Sequence, residues 1–313
     1  MGFYIAKNNR ISYNAFVIVK TYVKLQKEEM VMENKKTYIK SPLNYTGGKF
    51  KLLSQILPLF PKDINVFLEP FAGGLNVSLN VNANSYILND ASIELIELWK
   101  FLEQKNENEV IMELKELISY YDLSLTNVDG FQKLRNDRNI KKDNELLLFL
   151  LICYGFNHQL RFNKNGDFNI PFGKERSCYN GTIENNLIHT MEKLHIMKPN
   201  FSSKDFRKID YSILKQNDFV YVDPPYLITQ ATYNGDWGIQ EEKDLLHILT
   251  SLNEKQIRFA LSNVLEHHGK TNTLLFDWAK EYNIHYLSMN YGNSNYHKKN
   301  KDDKSIEVLI TNY

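Results

Sequence analysis

A short segment near residue 223 combines an acid, two prolines and a tyrosine in the order Asp223-Pro224-Pro225-Tyr226, directly after the apolar run 219–222. If that run is a strand of an open α/β sheet, the segment lies at the strand's carboxyl end, where such sheets bind ligands. The prolines hold φ near about −65° and remove two backbone donors, so the turn offers acceptors and an aromatic face. These groups suit an exocyclic amine of a nucleobase, with N–H bonds to the Asp223 carboxylate and the Pro224 carbonyl and the ring stacked on Tyr226. The alternative is an ordinary strand-ending turn with a solvent-facing Asp223.

A glycine turn is the second candidate site. Residues 69–74 (EPFAGG) end one apolar run, and Asp90 ends the next. Glycines between a strand and a helix let a ligand approach the backbone closely, although the GxGxxG pattern is absent. In nucleotide-binding folds an acid at the position of Asp90 accepts hydrogen bonds from ribose hydroxyls. The alternative is that Asp90 caps the predicted helix 91–104 or interacts with its dipole.

The loop 45–49 (YTGGK) is the third candidate site. It does not match GxxxxGK[ST], so ATP hydrolysis is not supported. Its glycines permit a tight loop over a ligand, with Tyr45 over a sulfonium or a purine and Lys49 bonded to carbonyls or a carboxylate. The alternative is a simple turn that starts a helix over 49–57.

Composition excludes several classes of protein. The 313 residues are 43% hydrophobic and 24% charged, which is typical of globular rather than disordered or fibrous chains. A net charge of +1 excludes a globally basic nucleic-acid binder but not a local basic groove. Two cysteines and the lack of a CxxC pattern favour a reducing compartment. No apolar run approaches the ~18 residues of a membrane span, we predict no signal peptide, and the eight histidines show no metal-ligand spacing.

Strands and helices alternate along the chain, which indicates an α/β fold with a mostly parallel sheet covered by helices on both faces. The predicted strands are 64–69, 86–90, 200–204, 219–222, 258–261, 285–289 and 307–311. The predicted helices are 49–57, 91–104 with Ser92 as its N-cap, 107–121, 143–154, 241–253 and 272–282, and a further helix starts in 75–80. The last two strands have only the polar segment 290–305 between them, so we expect an antiparallel pair at or near an edge.

Three regions follow from this order. Residues 37–104 and 200–313 form the predicted catalytic domain, and 105–199 form a mostly helical insertion with its own function. Residues 1–50 carry nine Lys or Arg against three Glu. We read 1–36 as a basic appendage that is a frayed terminus rather than an arm on DNA phosphates, and Met30 and Met32 are alternative starts.

Taken in order, the motifs YTGGK (45–49), FLEPFAGG (67–74), NDAS (89–92) and DPPY (223–226) resemble those of the Dam-type family of DNA adenine-N6 methyltransferases. The resemblance covers about residues 41–313 and includes the closing segment IEVLITNY. It implies a seven-stranded methyltransferase sheet, an inserted target-recognition domain with a β-hairpin, and S-adenosylmethionine as the methyl donor, with no metal.

The resemblance also implies roles for individual residues. The implied cofactor-binding residues are Tyr45, Lys49, Phe71, Gly73, Gly74, Asp90, Asp205, Phe206 and Asp223. Among them, Asp90 matches the ribose-binding acid and the pair Asp205-Phe206 matches the groups that bond and sandwich the cofactor's adenine. The implied catalytic residues are Asp223, Pro224, Pro225 and Tyr226.

The segment 157–173 resembles the family's DNA-contacting β-hairpin, with Asn165-Gly166 as a turn signal. The implied DNA-contacting residues are Asn157, His158, Gln159, Arg161, Asn163 and Lys164. Arg161 is expected to read guanine in the major groove, with a phosphate contact or a surface salt bridge as the alternative. The sequence Asn157-His158-Gln159 departs from the common Asn-Gly-Leu, which puts the GATC target that we predict in doubt.

The resulting hypothesis is transfer of a methyl group to N6 of an adenine flipped out of duplex DNA. The alternatives are cytosine-N4 or RNA-base methylation and a non-catalytic DNA-binding relative. We expect double-stranded DNA as partner, a monomer or weak dimer without membrane association, and a site of action in the cytoplasm of a bacterial or phage-infected cell. Two settings stay open: a restriction-modification system with an endonuclease that acts separately, or a solitary or phage methylase. We also expect the segment 290–304 either to order over the base or DNA backbone or to be a solvated loop.

Overall fold

The computed structural model describes residues 37–45, 47–229, 237–288 and 305–313. The chain divides into Met1–Tyr38 and Ile39–Tyr313, and the second unit holds every element below. The expectations for 1–36 and for 290–304 lie outside the described residues.

A mixed sheet forms the centre of the unit Ile39–Tyr313. Its strands are β1 (Val66–Glu69), β2 (Ser85–Asn89), β3 (Asn200–Ser202), β4 (Phe219–Val222), β5 (Arg258–His267), β6 (Lys270–Thr271), β7 (Asn283–Leu287) and β8 (Ser305–Thr311). Their order is β3-β2-β1-β4-β5-β8-β7, and the short β6 pairs with β5 outside this path. The first five strands of the path are parallel, whereas β8 runs antiparallel to β5 and β7. The predicted antiparallel pair at the edge is therefore confirmed as β7 and β8. The sheet has one strand more than the seven predicted, the two-residue β6.

Apolar side chains cover both faces of the sheet, as predicted. The helices are Leu53–Ile56, Ile93–Gln104, Glu107–Tyr120, Val128–Ile140, Glu145–Tyr154, Gly181–Met197, Ile239–Glu254 and Thr273–Ala279. On β4, Val220 and Val222 join the core that contains Leu245 and Leu249 of the helix Ile239–Glu254. The alternate residues Phe219 and Tyr221 face Phe60 on the other side, at 4.8 and 5.3 Å between ring centroids. A strand buried on both faces needs a continuous apolar sequence, and FVYV is one.

The residues after the glycine turn do not start a helix, contrary to the prediction for 75–80. They contain only the 3₁₀ turn Ser78–Asn80, because Leu75 has φ +60°, outside the helical region. The side chains of Asn76 and Asn80 accept backbone N–H bonds from Ser41 and Ile39 instead. The segment thus holds the chain that leads into the loop 45–49. The predicted helix 49–57 is likewise broken into the pieces Lys49–Leu52, Leu53–Ile56 and Leu57–Leu59.

The helical content predicted between 105 and 199 is present. The helix Glu145–Tyr154 buries nine of its ten residues, and it contacts Val128–Ile140, Glu107–Tyr120 and Ile93–Gln104. Because the last of these belongs to the predicted catalytic region and Ile39–Tyr313 is one unit, the boundaries of the insertion stay predictions. Ser92 caps its helix as predicted, since its hydroxyl accepts from the backbone N–H of Leu95.

Candidate cofactor and substrate cleft

A cavity of about 460 Å³ opens at the carboxyl ends of β1, β2 and β4. Its volume falls in the range of small-molecule sites, about 300–1,000 Å³. The predicted cofactor-binding and catalytic residues share one property, which is that all of them line this cavity: Tyr45, Lys49, Phe71, Gly73, Gly74, Asp90, Asp205, Phe206, Asp223, Pro224, Pro225 and Tyr226. The fold therefore brings together motifs that are up to about 180 residues apart in the chain.

The glycine turn is packed against Tyr45. A Cβ atom on Gly73 would lie 2.9 Å from the Tyr45 ring, and one on Gly74 would lie 2.8 Å from the Tyr45 Cβ. Gly73 also has φ +47°, a conformation that side chains rarely adopt. Its carbonyl accepts a hydrogen bond of 3.0 Å from the indole of the buried Trp99. The two glycines are thus required for the loop 45–49 to close over the turn.

Asp90 braces the same turn. One of its carboxylate oxygens accepts from the backbone N–H of Gly73 at 2.9 Å, and the other from that of Ser92 at 3.0 Å. The helix cap itself is the Ser92 hydroxyl, so Asp90 is not the cap. Burial raises the pKa of Asp90, and the two N–H bonds oppose this shift. Each oxygen keeps a second lone pair that can accept from a ribose hydroxyl.

Asn89 is a scaffold residue that sequence reasoning missed. Its amide donates to the carbonyls of Pro70 and Lys204, and its oxygen accepts from the Ser202 hydroxyl and the Lys204 backbone. These four bonds join the ends of β1, β2 and β3, and they place Asp205 at the cavity. Asn89 opens the motif NDAS, but sequence reasoning assigned it no role.

Three aromatic rings stand together at one end of the cavity. The ring centroids of Phe71, Phe206 and Trp237 are 5.3 to 5.6 Å apart in all three pairs. The Trp237 indole donates to a carboxylate oxygen of Glu242 at 2.9 Å. Glu242 is fully buried and also accepts from the side chains of Asn263 and Asn272. We call Phe71, Phe206, Trp237 and the adjacent Asp205 the aromatic end; Trp237 was not predicted because it belongs to no motif.

Asp205 is held by its neighbour Arg207. The guanidinium contacts both carboxylate oxygens, at 2.9 and 2.7 Å, and also reaches Glu241 and Asp244. The hydrogen bond from Arg207 lowers the pKa of Asp205. Arg207 therefore favours the ionised form of Asp205.

The opposite end of the cavity gathers opposite charges around Asp223. The Lys49 ammonium lies 2.9 Å from Asp223 Oδ1, and the Tyr226 hydroxyl donates to the same oxygen at 3.0 Å. Glu307 of β8 brings a second carboxylate, 3.7 Å from the ammonium and 3.4 Å from the hydroxyl. Lys49 is only 4% exposed and also donates to the Gly47 carbonyl. We call Lys49, Asp223, Tyr226 and Glu307 the charged end.

Burial raises the pKa of Asp223, whereas Lys49 and the Tyr226 hydroxyl act in the opposite direction. Burial also raises the pKa of Glu307, and the charge of Asp223 adds to the rise. The two carboxyls thus share one ammonium in a site shielded from water. Sequence reasoning did not assign Glu307, because a single acid in a closing strand looks like a surface position.

Glu69 is a second acid that sequence reasoning left without a role. It ends β1, lines the cavity and is 3% exposed. Its Oε2 has no hydrogen-bond partner among the residues that the structure describes. Burial raises its pKa well above the usual range, and the charges of Asp223 and Asp90 act in the same direction. Hydrogen bonds from Ser78 oppose this rise, and the Oε2 atom that lacks a described partner can accept from a ligand in the cavity.

The residues predicted to contact DNA lie outside the cavity. Asn157, Arg161, Asn163 and Lys164 are exposed, and Arg161 bonds across its own loop to the side chain and carbonyl of Asn169. The chain does fold back, with isolated antiparallel bridges Gly155↔Phe172 and Phe162↔Phe168 in place of the predicted two-stranded ribbon.

The turn of this segment spans Asn163 to Gly166, and the Gly166 N–H donates to the Asn163 carbonyl. Gly166 takes φ +76°. His158 and Gln159 are half-buried, and burial lowers the pKa of His158.

Comparison with known proteins identifies the family. Residues 45–293 match the family model for the D12 class N6 adenine-specific DNA methyltransferases. This match covers most of the chain, and the chain belongs to that family.

The relatives include the modification methylase StsI of Streptococcus sanguinis, 46% identical over 286 residues, and the type II methyltransferase M.FokI of Planomicrobium okeanokoites, 45% identical over 294 residues. The alignments cover 89% and 92% of this chain but 43% and 45% of those proteins. The chain thus spans less than half the length of these two relatives. The DNA adenine methylase of Escherichia coli K12 is 30% identical over 234 residues, which cover 71% of this chain and 79% of that protein.

Membrane-spanning helices and metal-ligand clusters are both absent from the part of the chain that the structure describes. No helix in these ranges has the length and apolar character to cross a bilayer. No group of three or more His, Cys, Asp or Glu side chains in the same ranges could hold a metal ion.

Proposed function

We propose that the protein is a site-specific DNA methyltransferase that uses S-adenosylmethionine to methylate N6 of an adenine flipped out of duplex DNA. The single observation that carries this proposal is Asp223, fixed by Lys49 and Tyr226 in a cavity lined by further acids. Family membership supports the reaction, and the chemistry of the cavity supports the donor.

The cavity suits S-adenosylmethionine at both ends. The orphaned Oε2 of Glu69 and the carboxylate of Asp223 favour a ligand with ammonium and sulfonium charges. Asp90 offers acceptors for ribose hydroxyls, and the aromatic end offers ring faces for a purine, which stacking stabilises by about 1–3 kcal/mol. When bound, the cofactor supplies a methyl group whose bond to the positive sulfur breaks with its electron pair left on sulfur.

The residues of the charged end then act on the acceptor. Asp223 and the Pro224 carbonyl accept the two amine hydrogens, which directs the nitrogen lone pair toward the methyl carbon. Among the described residues, Lys49 and Tyr226 both contact Oδ1 of Asp223, so Oδ2 is the oxygen that meets the amine. The new C–N bond leaves a positive charge on N6, which then releases one proton through the Asp223 carboxylate to solvent. Orientation and charge carry the rate, and no covalent enzyme intermediate is needed.

Duplex DNA is the proposed partner, and the segment 157–173 is its proposed contact surface, with Asn157, His158, Gln159, Arg161, Asn163 and Lys164 at the interface. Arg161 would exchange its bonds to Asn169 for a guanine or a phosphate. The two relatives of 45–46% identity are named a modification methylase and a type II methyltransferase, which supports a link to a restriction endonuclease that acts separately, within a bacterial or phage-infected cell. GATC is the first target to assay.

The test uses the purified full chain, unmodified plasmid DNA and cofactor with a labelled methyl group. Digestion to nucleosides and mass spectrometry should show labelled N6-methyladenine, and single-molecule sequencing of the same plasmid should show one methylated motif. Labelled N4-methylcytosine would favour the alternative function, methylation of the cytosine N4 amine. No labelled base, with intact cofactor binding, would contradict the proposal.

A further inference from the structure

Glu307 occupies a position from which it acts on Asp223 through two intermediaries. It lies on β8 in register with Val264 of β5 and Leu287 of β7, and its side chain is 11% exposed. Its Oε1 is 3.4 Å from the Tyr226 hydroxyl and 3.7 Å from the Lys49 ammonium. Both of these groups contact Oδ1 of Asp223.

Among the described residues, Lys49 and Tyr226 serve both carboxylates. A tyrosine hydroxyl has one proton and can donate it to one acceptor at a time. One of the ammonium protons of Lys49 is taken by the Gly47 carbonyl. Glu307 and Asp223 therefore compete for the same donors, and the charge and position of one determine how firmly the other is held.

Resting on the proposed function, we propose that Glu307 is a positioning residue for methyl transfer, which holds Tyr226 and Lys49 on Oδ1 of Asp223 so that Oδ2 receives the target amine. Without Glu307, the Lys49 ammonium and the Tyr226 hydroxyl can both direct their protons at Asp223 alone. Asp223 then becomes a weaker acceptor for the substrate amine. The strand β8, whose segment IEVLITNY was given no site residue in the sequence analysis, thus contributes to the site.

The charged and titratable groups around Glu307 predict how its removal changes the pH dependence of methyl transfer. Lys49 faces Glu307 from the end of the loop 45–49, Asp223 and Tyr226 from the turn after β4, and Tyr221 from β4 itself. The opposing residues of β5 and β7, Val264 and Leu287, are not titratable. The two carboxylates repel one another, so neutralising Glu307 should let Asp223 ionise at lower pH.

The experiment measures single-turnover methylation against pH for the wild type and for Glu307→Gln, Glu307→Leu, Tyr226→Phe and the Glu307→Leu/Tyr226→Phe double variant. Glu307→Gln should move the acidic limb of the rate profile to lower pH. Glu307→Leu should lower the plateau rate about tenfold, with cofactor affinity within about twofold of wild type. Glu307 acts partly through the Tyr226 hydroxyl. The fold decrease in rate of the double variant should therefore be clearly smaller than the product of the fold decreases of the two single variants.

Glu266→Gln is the matched control, since Glu266 is a half-buried acid on the adjacent β5, in register with Ile306. Its profile should coincide with that of the wild type. The inference is wrong if Glu307→Gln gives the wild-type profile, or if the single losses multiply in the double variant. If Glu307→Leu does not fold, as judged by circular dichroism, the Glu307→Gln profile decides alone.

The same assay separates the two proposals. A wild-type enzyme that makes no N6-methyladenine would refute the proposed function. An active wild type with an unmoved Glu307→Gln profile would refute only the role of Glu307.

Discussion

The two ends of the cleft hold their carboxylates in different ways. At the aromatic end, both oxygens of Asp205 accept hydrogen bonds from Arg207, and the pKa of Asp205 is lowered. At the charged end, Asp223 is buried and shares Lys49 with Glu307, and its pKa is raised. The first arrangement favours the charged form of its carboxyl, and the second disfavours it. We therefore expect the aromatic end to determine affinity and the charged end to determine rate.

The largest expected effect comes from Asp223→Asn. The amide keeps the shape of the side chain but donates where the substrate amine needs an acceptor, so the rate of methyl transfer should fall about 10²–10³-fold. Cofactor affinity, measured by calorimetry, should change much less. Asp63→Asn, at an exposed acid beside Arg258, is the control and should retain full activity. A near-normal rate in Asp223→Asn would contradict the division between the two ends.

Acidification should separate the two ends without any mutation. Asp223 must be ionised to accept the amine, and its pKa lies above the usual 3.8. As pH falls through that raised pKa, the single-turnover rate should decrease by about tenfold per pH unit. Asp205 has a lowered pKa, so it stays charged and cofactor affinity should persist over the same range. Parallel loss of affinity and rate would show that both ends titrate together.

Gly73→Ala tests the turn that joins the two ends. Its φ of +47° imposes a strain of about 1–2 kcal/mol on alanine, and the contact with Tyr45 adds overpacking of about 1–3 kcal/mol. Gly269→Ala is the matched control, because Gly269 has φ +75° but open space around its Cβ position. Urea unfolding should show a clearly larger loss of stability for Gly73→Ala. Equal losses would mean that Tyr45 does not pack on the turn as described.

Trp237→Ala should produce the smallest change. Loss of one ring face should weaken cofactor binding by about 1–1.5 kcal/mol, or about five- to tenfold, whereas the rate at saturating cofactor should stay close to wild type. Trp237→Phe keeps a ring but loses the hydrogen bond to Glu242. Its cofactor affinity should lie between that of the wild type and that of Trp237→Ala. A drop in the saturated rate with unchanged affinity would reverse the roles of the ends.

The sequence by itself determined that the motif residues would line one cleft. Motifs that follow apolar runs must meet where parallel strands end, so the order of motifs and runs along the chain is enough to place Asp223, Asp90 and the turn at Gly73 together. The strand 219–222 could be predicted because a strand buried on both faces has a continuous apolar sequence. The cap Ser92 could be predicted because a hydroxyl residue stands just before the helix. These features depend on neighbours in the chain.

Tertiary structure alone decided what those residues contact. Glu307 reaches Tyr226 from 81 residues away, and Asn89 reaches Lys204 from 115 residues away. Trp237 depends on Glu242, whose other partners lie on β5 and just before the helix Thr273–Ala279. The absence of a helix after Gly74 has the same origin, since Asn76 and Asn80 bond to residues 39–41 instead of continuing a helix. A side chain that joins distant segments follows no local periodicity, because its partner is set by the closing of the sheet.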